Sequence, residues 1–267
     1  MSGTGAAQAL EACLKCGARE FVVCAGARNA PLVLAIARAG GLRVWNHFEE
    51  RGAGFFALGR VRATGQPVVV VTTSGTAVAE LLPAVIEAHY QGRPLLVVSA
   101  DRPPDYRGSG APQAIEQVGI FGDYVEGRDD LSGGEEELGL IGKWSGLRPW
   151  HVNVCLEEAE EIPELKLPVE PVERPRGPRA GVLELIDFLE GERFRGVVVL
   201  LGGLEQEERE GTLHFLRDLG VPVIADATSG LREVLGKLAL TDGDRVCRSQ
   251  RPGKVLRLGE VPIGRFW

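Results

Sequence analysis

At 267 residues the chain has room for one large domain or two modest ones. Hydrophobic residues make up 44% and charged residues 25%, proportions that argue against a disordered, collagen-like or disulfide-stapled protein. A formal charge of −7 disfavours a surface built to hold nucleic-acid phosphates. No run approaches the roughly 18 apolar residues of a membrane span, and no basic segment precedes an apolar one at the N-terminus, so a cytoplasmic chain without nucleic-acid or membrane partners is expected.

The chain opens on a helical pattern with Ala6, Leu10, Cys13 and Leu14 on one face. Cys13 and Cys16 form a C-x-x-C there, read as two small buried residues. A zinc site needs a second ligand pair, and five cysteines spread from Cys13 to Cys247 make no disulfide framework. No metal ligand is assigned. Apolar strands are then expected at 21–24, 44–48, 68–72, 95–99 and 152–155, with helices at 31–39, 50–64 and 76–91 between them. Apolar strands with little alternation, separated by helices, predict an α/β domain with a parallel sheet covered on both faces. This domain is assigned residues 1–160.

Pro163, Pro168, Pro171, Pro175 and Pro178 follow in quick succession, and proline at that density predicts an extended linker over 161–180. A second, partial α/β domain is assigned residues 181–267, with helices near 182–189 and 205–219 and strands at 197–201, 221–225 and 255–258. Its size is near the lower limit for a domain.

Ligands of open parallel sheets bind beyond the carboxyl ends of the strands, which directs attention to four loops. The first, Gly26-Ala27-Arg28-Asn29-Ala30-Pro31, places Arg28 near a helix N-terminus, where an anion is favoured. Taken alone it is as well read as an ordinary turn with a solvated arginine. The second carries Glu49 and Glu50 in a first helical turn, which dipole complementarity would select in any case. In the third, Thr72-Thr73-Ser74-Gly75-Thr76, Ser74 or Thr76 can cap a helix and Gly75 permits close approach of a ligand. It has neither the G-x-G-x-x-G spacing nor the P-loop lysine of common nucleotide sites. The fourth loop is long and carries Asp101, Arg102, Gln113 and Gln117, the kind of connection that often has a function.

Taken together, GARNAPL, HFEERGAGFFALG, TTSGTAVAELLPAVIEA and SADRPPDYRGSGAPQAIEQ, in this order and spacing, resemble the N-terminal, pyrimidine-binding domain of the 2-succinyl-5-enolpyruvyl-6-hydroxy-3-cyclohexene-1-carboxylate synthase family, thiamine-diphosphate enzymes of menaquinone biosynthesis. VVVLLGGLEQEERE, VPVIADATSGLR and VLRLGEVPIGRFW are similar to the start of that family's central domain, which extends the resemblance over nearly the whole chain. It implies a decarboxylating condensation of 2-oxoglutarate with isochorismate. By motif match Glu50 would be catalytic, hydrogen-bonding N1′ of the aminopyrimidine and shuttling its proton. Ser74, Gly75 and Thr76 would lie against the cofactor ring, and Arg28, Asn29, Arg102 and Gln113 would face the acidic substrates.

The chain departs from the family pattern in three places. Ala27 stands where serine is usual, the 123–150 segment is short, with a solvated turn expected at 133–137, and the family's C-terminal domain is expected to be missing. That domain would carry the G-D-G…N motif for magnesium and diphosphate; Thr241-Asp242-Gly243-Asp244-Arg245 is only an echo of it. The isolated chain is therefore expected to be inactive, and to work as a homo-oligomer or with a separate chain that completes the thiamine diphosphate and Mg2+ site. Two other readings stay open: the pyrimidine-domain subunit of a split 2-oxoacid decarboxylase, and a non-catalytic binding or assembly module of the same fold.

Overall fold

Valine-rich segments buried along their whole length, such as Val68–Thr72, can only be the middle strands of a sheet covered on both sides. The protein, seen in a computed structural model, is described for residues 5–132, 138–157, 164–165, 170–171, 182–190 and 196–262. The expected linker at 161–180 lies almost wholly outside the described residues, and the turn at 133–137 lies outside them altogether. The chain divides into two compact units, Met1–Gly177 and Pro178–Trp267.

The first unit runs α1 (Gly5–Lys15), β1 (Glu20–Val23), α2 (Ala30–Arg38), β2 (Arg43–Asn46), α3 (Glu50–Thr64), β3 (Val68–Thr72), α4 (Thr76–Ala79), α5 (Leu82–Tyr90), β4 (Leu95–Asp101), β5 (Gly127–Leu131), α6 (Gly139–Lys143) and β6 (Trp150–Cys155). Its six strands are all parallel, in the order β2-β1-β3-β4-β6-β5. Successive residues of a strand point to opposite faces, and the core divides accordingly. Val69, Val71, Leu96 and Val98 pack with Leu10, Leu14, Leu32 and Ile36 of α1 and α2. Val68, Val70, Leu95 and Val97 pack with Ala57, Val61 and Val85 of α3 and α5. Because α2 covers one face and α3 to α5 the other, the winding reverses between β1 and β3, the position at which open α/β sheets hold ligands in a crevice beyond the carboxyl ends of their strands.

Two local features differ from expectation, and a third agrees with it. The helix expected over 76–91 is two, α4 and α5, with Pro83 in the first turn of α5, where its missing N–H costs nothing. Strand β5 carries the sequence Gly-Arg-Asp-Asp-Leu, without an apolar run to announce it. Polar contacts hold it instead: the Asp129 carboxylate accepts the N–H groups of Gly139 and Leu140 and the indole N–H of Trp150. A Cβ at Gly127 would overlap the Trp150 ring, so only glycine fits there. Finally, Cys13 and Cys16 are both buried, and burial pushes the Cys13 thiol well above its usual range, in keeping with small core residues.

The second unit comprises α7 (Val182–Glu190), β7 (Val197–Leu201), α8 (Glu208–Leu219), β8 (Val223–Ala225), α9 (Gly243–Ser249) and β9 (Lys254–Leu258). Its three parallel strands are ordered β8-β7-β9. Helix α9 was not expected, and it contains the Gly243 of the 241–245 echo. A Cβ on Gly243 would overlap the Ile224 side chain, so packing accounts for that glycine. No helix among the described residues is long and apolar enough to cross a membrane.

Candidate cofactor and substrate site

The crevice is assembled from the loops after β1, β2, β3 and β4. In the first, Asn29 is fully buried and ties the turn to itself: its Oδ1 accepts the Gly26 N–H at 2.8 Å and its Nδ2 donates to the Cys24 carbonyl at 2.9 Å. Gly26 lies so close to Thr73 that a Cβ would approach the Thr73 Cβ to 2.7 Å, so the β1 and β3 loops meet there. Arg28 is half-buried and donates to the Leu156 carbonyl at 3.0 Å. The Leu156 N–H in turn donates to the Asp101 carbonyl at 3.0 Å, so one residue of backbone links the arginine to the end of β4.

The two glutamates after β2 are put to different uses. Glu49 is the N-cap of α3, in extended conformation, and its carboxylate accepts the N–H groups of Arg51 at 2.9 Å and Gly52 at 2.7 Å. The hydrogen bond from Gly52, followed by that from Arg51, holds this carboxyl below its usual range. Glu50 is the first helical residue and half-buried, and its only hydrogen bond among the described residues is a long one, 3.5 Å, from the Thr72 hydroxyl. Its carboxylate also lies close to Cys24. Burial, then Glu50, then Glu49 push the Cys24 thiol up to about 12, so it stays neutral.

In the third loop Gly75 has φ +82°, a conformation that a side chain would strain, and an added Cβ would meet the Gln113 Cα at 3.0 Å. Gln113 is exposed and itself left-handed at φ 57°, the one such non-glycine among the described residues. Helix α4 takes Gly75 as N-cap with no side-chain cap, so neither Ser74 nor Thr76 serves as one. Ser74 is buried and Thr76 is exposed. In the fourth loop the Arg102 Nε donates to the Pro112 carbonyl at 3.0 Å, and its guanidinium lies 5.3 Å from the centre of the Tyr106 ring.

Beneath these loops lies a buried polar network that sequence reasoning missed. Gln117 accepts the Gly75 N–H and donates to the Ala100 carbonyl and to Asn153. Asn153 donates to Asp101 at 3.0 Å and to Asp130 at 2.8 Å, and Arg107 forks onto Asp130 with two bonds of 2.8 Å. Burial raises the Asp101 carboxyl above its usual range. For Asp130 burial works upward too, but the hydrogen bonds from Arg107 and Asn153 outweigh it and hold this carboxyl low. His151 sits 2.7 Å from the Ser99 hydroxyl, and burial lowers its imidazole to about 4, so it is neutral near pH 7. The signal was present in the sequence: Ser99 and Asp101 alternate in β4, and His151 and Asn153 in β6, within strands buried at every position.

The structure thus joins the segments of Gly75 and Gln113, and those of Arg28 and Arg102 more loosely, while Glu50 faces Thr72 at the end of β3. Asn29 is engaged wholly within its own turn. A flat aminopyrimidine needs a carboxyl at a ring nitrogen and polar atoms not already paired. Glu50, whose carboxylate has one long bond, fits the first need, and Ser74 stands in the loop that follows Thr72. For a divalent cation, no group of three or more His, Cys, Asp or Glu side chains converges among the described residues.

Residues 3–120 match the family described as thiamine pyrophosphate enzyme, N-terminal TPP binding domain. A 2-succinyl-5-enolpyruvyl-6-hydroxy-3-cyclohexene-1-carboxylate synthase of Akkermansia muciniphila is 47% identical over 262 residues, covering 97% of this chain and 49% of that protein. The enzyme of the same name from Bdellovibrio bacteriovorus is 40% identical, with 98% and 51% covered, and that from Chloroflexus aurantiacus 36% identical, with 93% and 47% covered. The chain spans about half the length of these curated relatives. It is therefore a relative of the 2-succinyl-5-enolpyruvyl-6-hydroxy-3-cyclohexene-1-carboxylate synthases along nearly all of its own length, and residues 3–120 belong to the N-terminal TPP-binding domain family of thiamine pyrophosphate enzymes.

Proposed function

We propose that the chain provides the aminopyrimidine side of a thiamine-diphosphate-dependent, decarboxylating condensation of 2-oxoglutarate with isochorismate in menaquinone biosynthesis, the reaction that its motif resemblance implies. The observation that carries this reading is the unequal use of the glutamate pair: Glu49 caps α3, while Glu50 turns toward Thr72 with most of its hydrogen-bonding capacity unused. When bound, thiamine diphosphate supplies the nucleophilic carbon and the electron sink. Glu50 then holds and returns a proton at N1′ of the ring, with Ser74, Gly75 and Thr76 against the ring's edge. Arg28 and Arg102 take substrate carboxylates, which suit a guanidinium fork, and Gln113 adds an amide. Asn29 contributes by fixing the turn that carries Arg28.

We assign the diphosphate and magnesium to a further segment, on this or another polypeptide, in a cytoplasmic oligomer. Phe48, wholly exposed beside Glu49, and Phe55, 45% exposed on α3, give such a partner an apolar surface. On this reading residues 1–160 form the pyrimidine-binding domain, 161–180 a linker, and 181–267 the start of a central domain.

The test supplies the remaining half of a relative in trans and follows hydrogen exchange at C2 of the cofactor's thiazolium by NMR. Glu50→Gln is expected to slow exchange about 10²–10⁴-fold, because glutamine hydrogen-bonds but does not carry the proton, and Glu49→Gln less than about tenfold. Parental exchange in Glu50→Gln, or slow exchange in Glu49→Gln alone, overturns the assignment.

A further inference from the structure

We propose that Gln117 is a positioning residue that locks the Ser74–Thr76 loop to the Gln113 segment, so that the cofactor side and the substrate side of the crevice move as one piece. Gln117 is fully buried at the end of the long loop after β4, and its carboxamide is used at both ends. The oxygen accepts the Gly75 N–H at 3.0 Å. The nitrogen donates to the Ala100 carbonyl at 2.9 Å and to Asn153 Oδ1 at 2.7 Å, and lies 3.5 Å from the Ser99 hydroxyl. One acceptor facing a donor and one NH2 facing two acceptors is a pattern that, among side chains of this length, only a carboxamide completes.

The need for such a lock follows from the backbone around it. Gly75 and Gln113 are both left-handed, and their main chains touch, with only 3.0 Å from a Gly75 Cβ position to the Gln113 Cα. A non-glycine residue in that region persists only where its surroundings over-determine it. Gln117 lies four residues after Gln113 and pins the opposite member of the pair, Gly75, through its N–H. Removing the amide leaves the buried Gly75 N–H without its acceptor and takes a donor from the Ala100 carbonyl and from Asn153 Oδ1, which keeps the Ser99 hydroxyl, and the loops lose their common anchor. The lock stands on these contacts alone; that it serves a cofactor rests on the function proposed above.

Backbone amide exchange of the full chain, read by NMR without cofactor, tests the lock. In Gln117→Met, which fills similar space, the Gly75 amide is expected to lose about tenfold or more of its protection while Val70 and Val97 in the strands keep theirs. Gln117→Glu supplies a conditional rescue. Its neutral carboxyl can accept from Gly75 and donate to Asn153 or Ala100, whereas its ionised form faces the same acceptors with no proton to give. The charged and titratable groups reached from this position through Asn153 and Ser99 are Asp101, Asp130, Arg107 and His151. Gly75 protection in Gln117→Glu is therefore expected at low pH and lost as the introduced carboxyl ionises. Unchanged Gly75 protection in Gln117→Met overturns the lock. So does an equal loss at Gly75, Val70 and Val97, which would mark a general structural role, and so does failure of Gln117→Glu to restore protection at any pH. The exchange result decides the part played by Gln117, and the Glu50→Gln comparison decides the function, so either can fail while the other stands.

Discussion

The two units use the same parallel α/β plan and finish their strands differently. In the first, β4 and β6 are buried at every position yet carry Ser99, Asp101, His151 and Asn153, joined by hydrogen bonds between distant parts of the chain. In the second, β7 is Val-Val-Val-Leu-Leu throughout, and the one buried polar side chain among its described residues, Ser229, serves its own turn by donating to the Asp226 carbonyl and accepting the Leu231 N–H. Burying polar groups is unfavourable unless all are paired, and an apolar strand end avoids the difficulty. That the first unit carries this network beneath the crevice loops indicates that it holds those loops in place, whereas the second unit's sheet is occupied with its own core.

The largest effect expected from this contrast is that of Asn153→Leu. It removes the amide between Gln117 and Ser99 on one side and Asp101 and Asp130 on the other, and each buried polar group left short of its hydrogen bond costs about 1–3 kcal/mol. Urea unfolding followed by tryptophan emission reads this, since Trp45, Trp144 and Trp150 all lie in the first unit. Ser229→Ala should cost about 1 kcal/mol, read from exchange of the β7 amides. Equal costs would break the comparison.

Next comes acid. His151 has a folded-state value of about 4, below the ordinary 6.5, so between those values the unfolded chain binds a proton that the folded chain refuses. The first unit should lose stability as the pH falls from about 6.5 to about 4, by up to about 3 kcal/mol, and be insensitive to this group above that window. The neighbouring Asp130 charge works against the shift, and burial outweighs it. Urea midpoints measured across the window in the parent and in His151→Gln check this; a parental curve that is flat there, or one that survives the substitution, refutes it.

The smallest effect is one on which the units should agree. Gly59 in α3 and Gly211 in α8 are exposed helical glycines with nothing within 4 Å of an added Cβ. Gly59→Ala and Gly211→Ala should each stabilise their own unit by about 0.5–1 kcal/mol, measured by the same unfolding and exchange readouts. A loss in either would show that its helix face is covered.

Much of the framework was legible in sequence order. Runs such as Val68–Thr72 and Val197–Leu201 announce buried parallel strands, and α3 begins and ends where its pattern predicts. Strand β5 was not legible, because Gly-Arg-Asp-Asp-Leu has no apolar periodicity and is held by the Asp129 contacts to Gly139, Leu140 and Trp150. At the site, the motifs named Glu50, Ser74, Gly75 and Gln113, and capping preference could not say which of two adjacent glutamates would cap α3. The backbone entering the helix decided that, by aiming Glu49 at the N–H groups of Arg51 and Gly52.

By itself, then, the sequence determined the alternation of strands and helices, the parallel sheet, and the loops in which chemistry could reside, because these follow from periodicity over a few residues. Only the tertiary structure decided that Gln117 meets Gly75, that Asn153 stands between Asp101 and Asp130, and that Asn29 closes on its own turn. Such partnerships require atoms within about 3 Å across large separations in sequence. Here they depend on the register that pairs Ser99 with Asn153. A slip of one residue in that pairing would turn every side chain of β6 to the other face, and no short stretch of sequence carries that information.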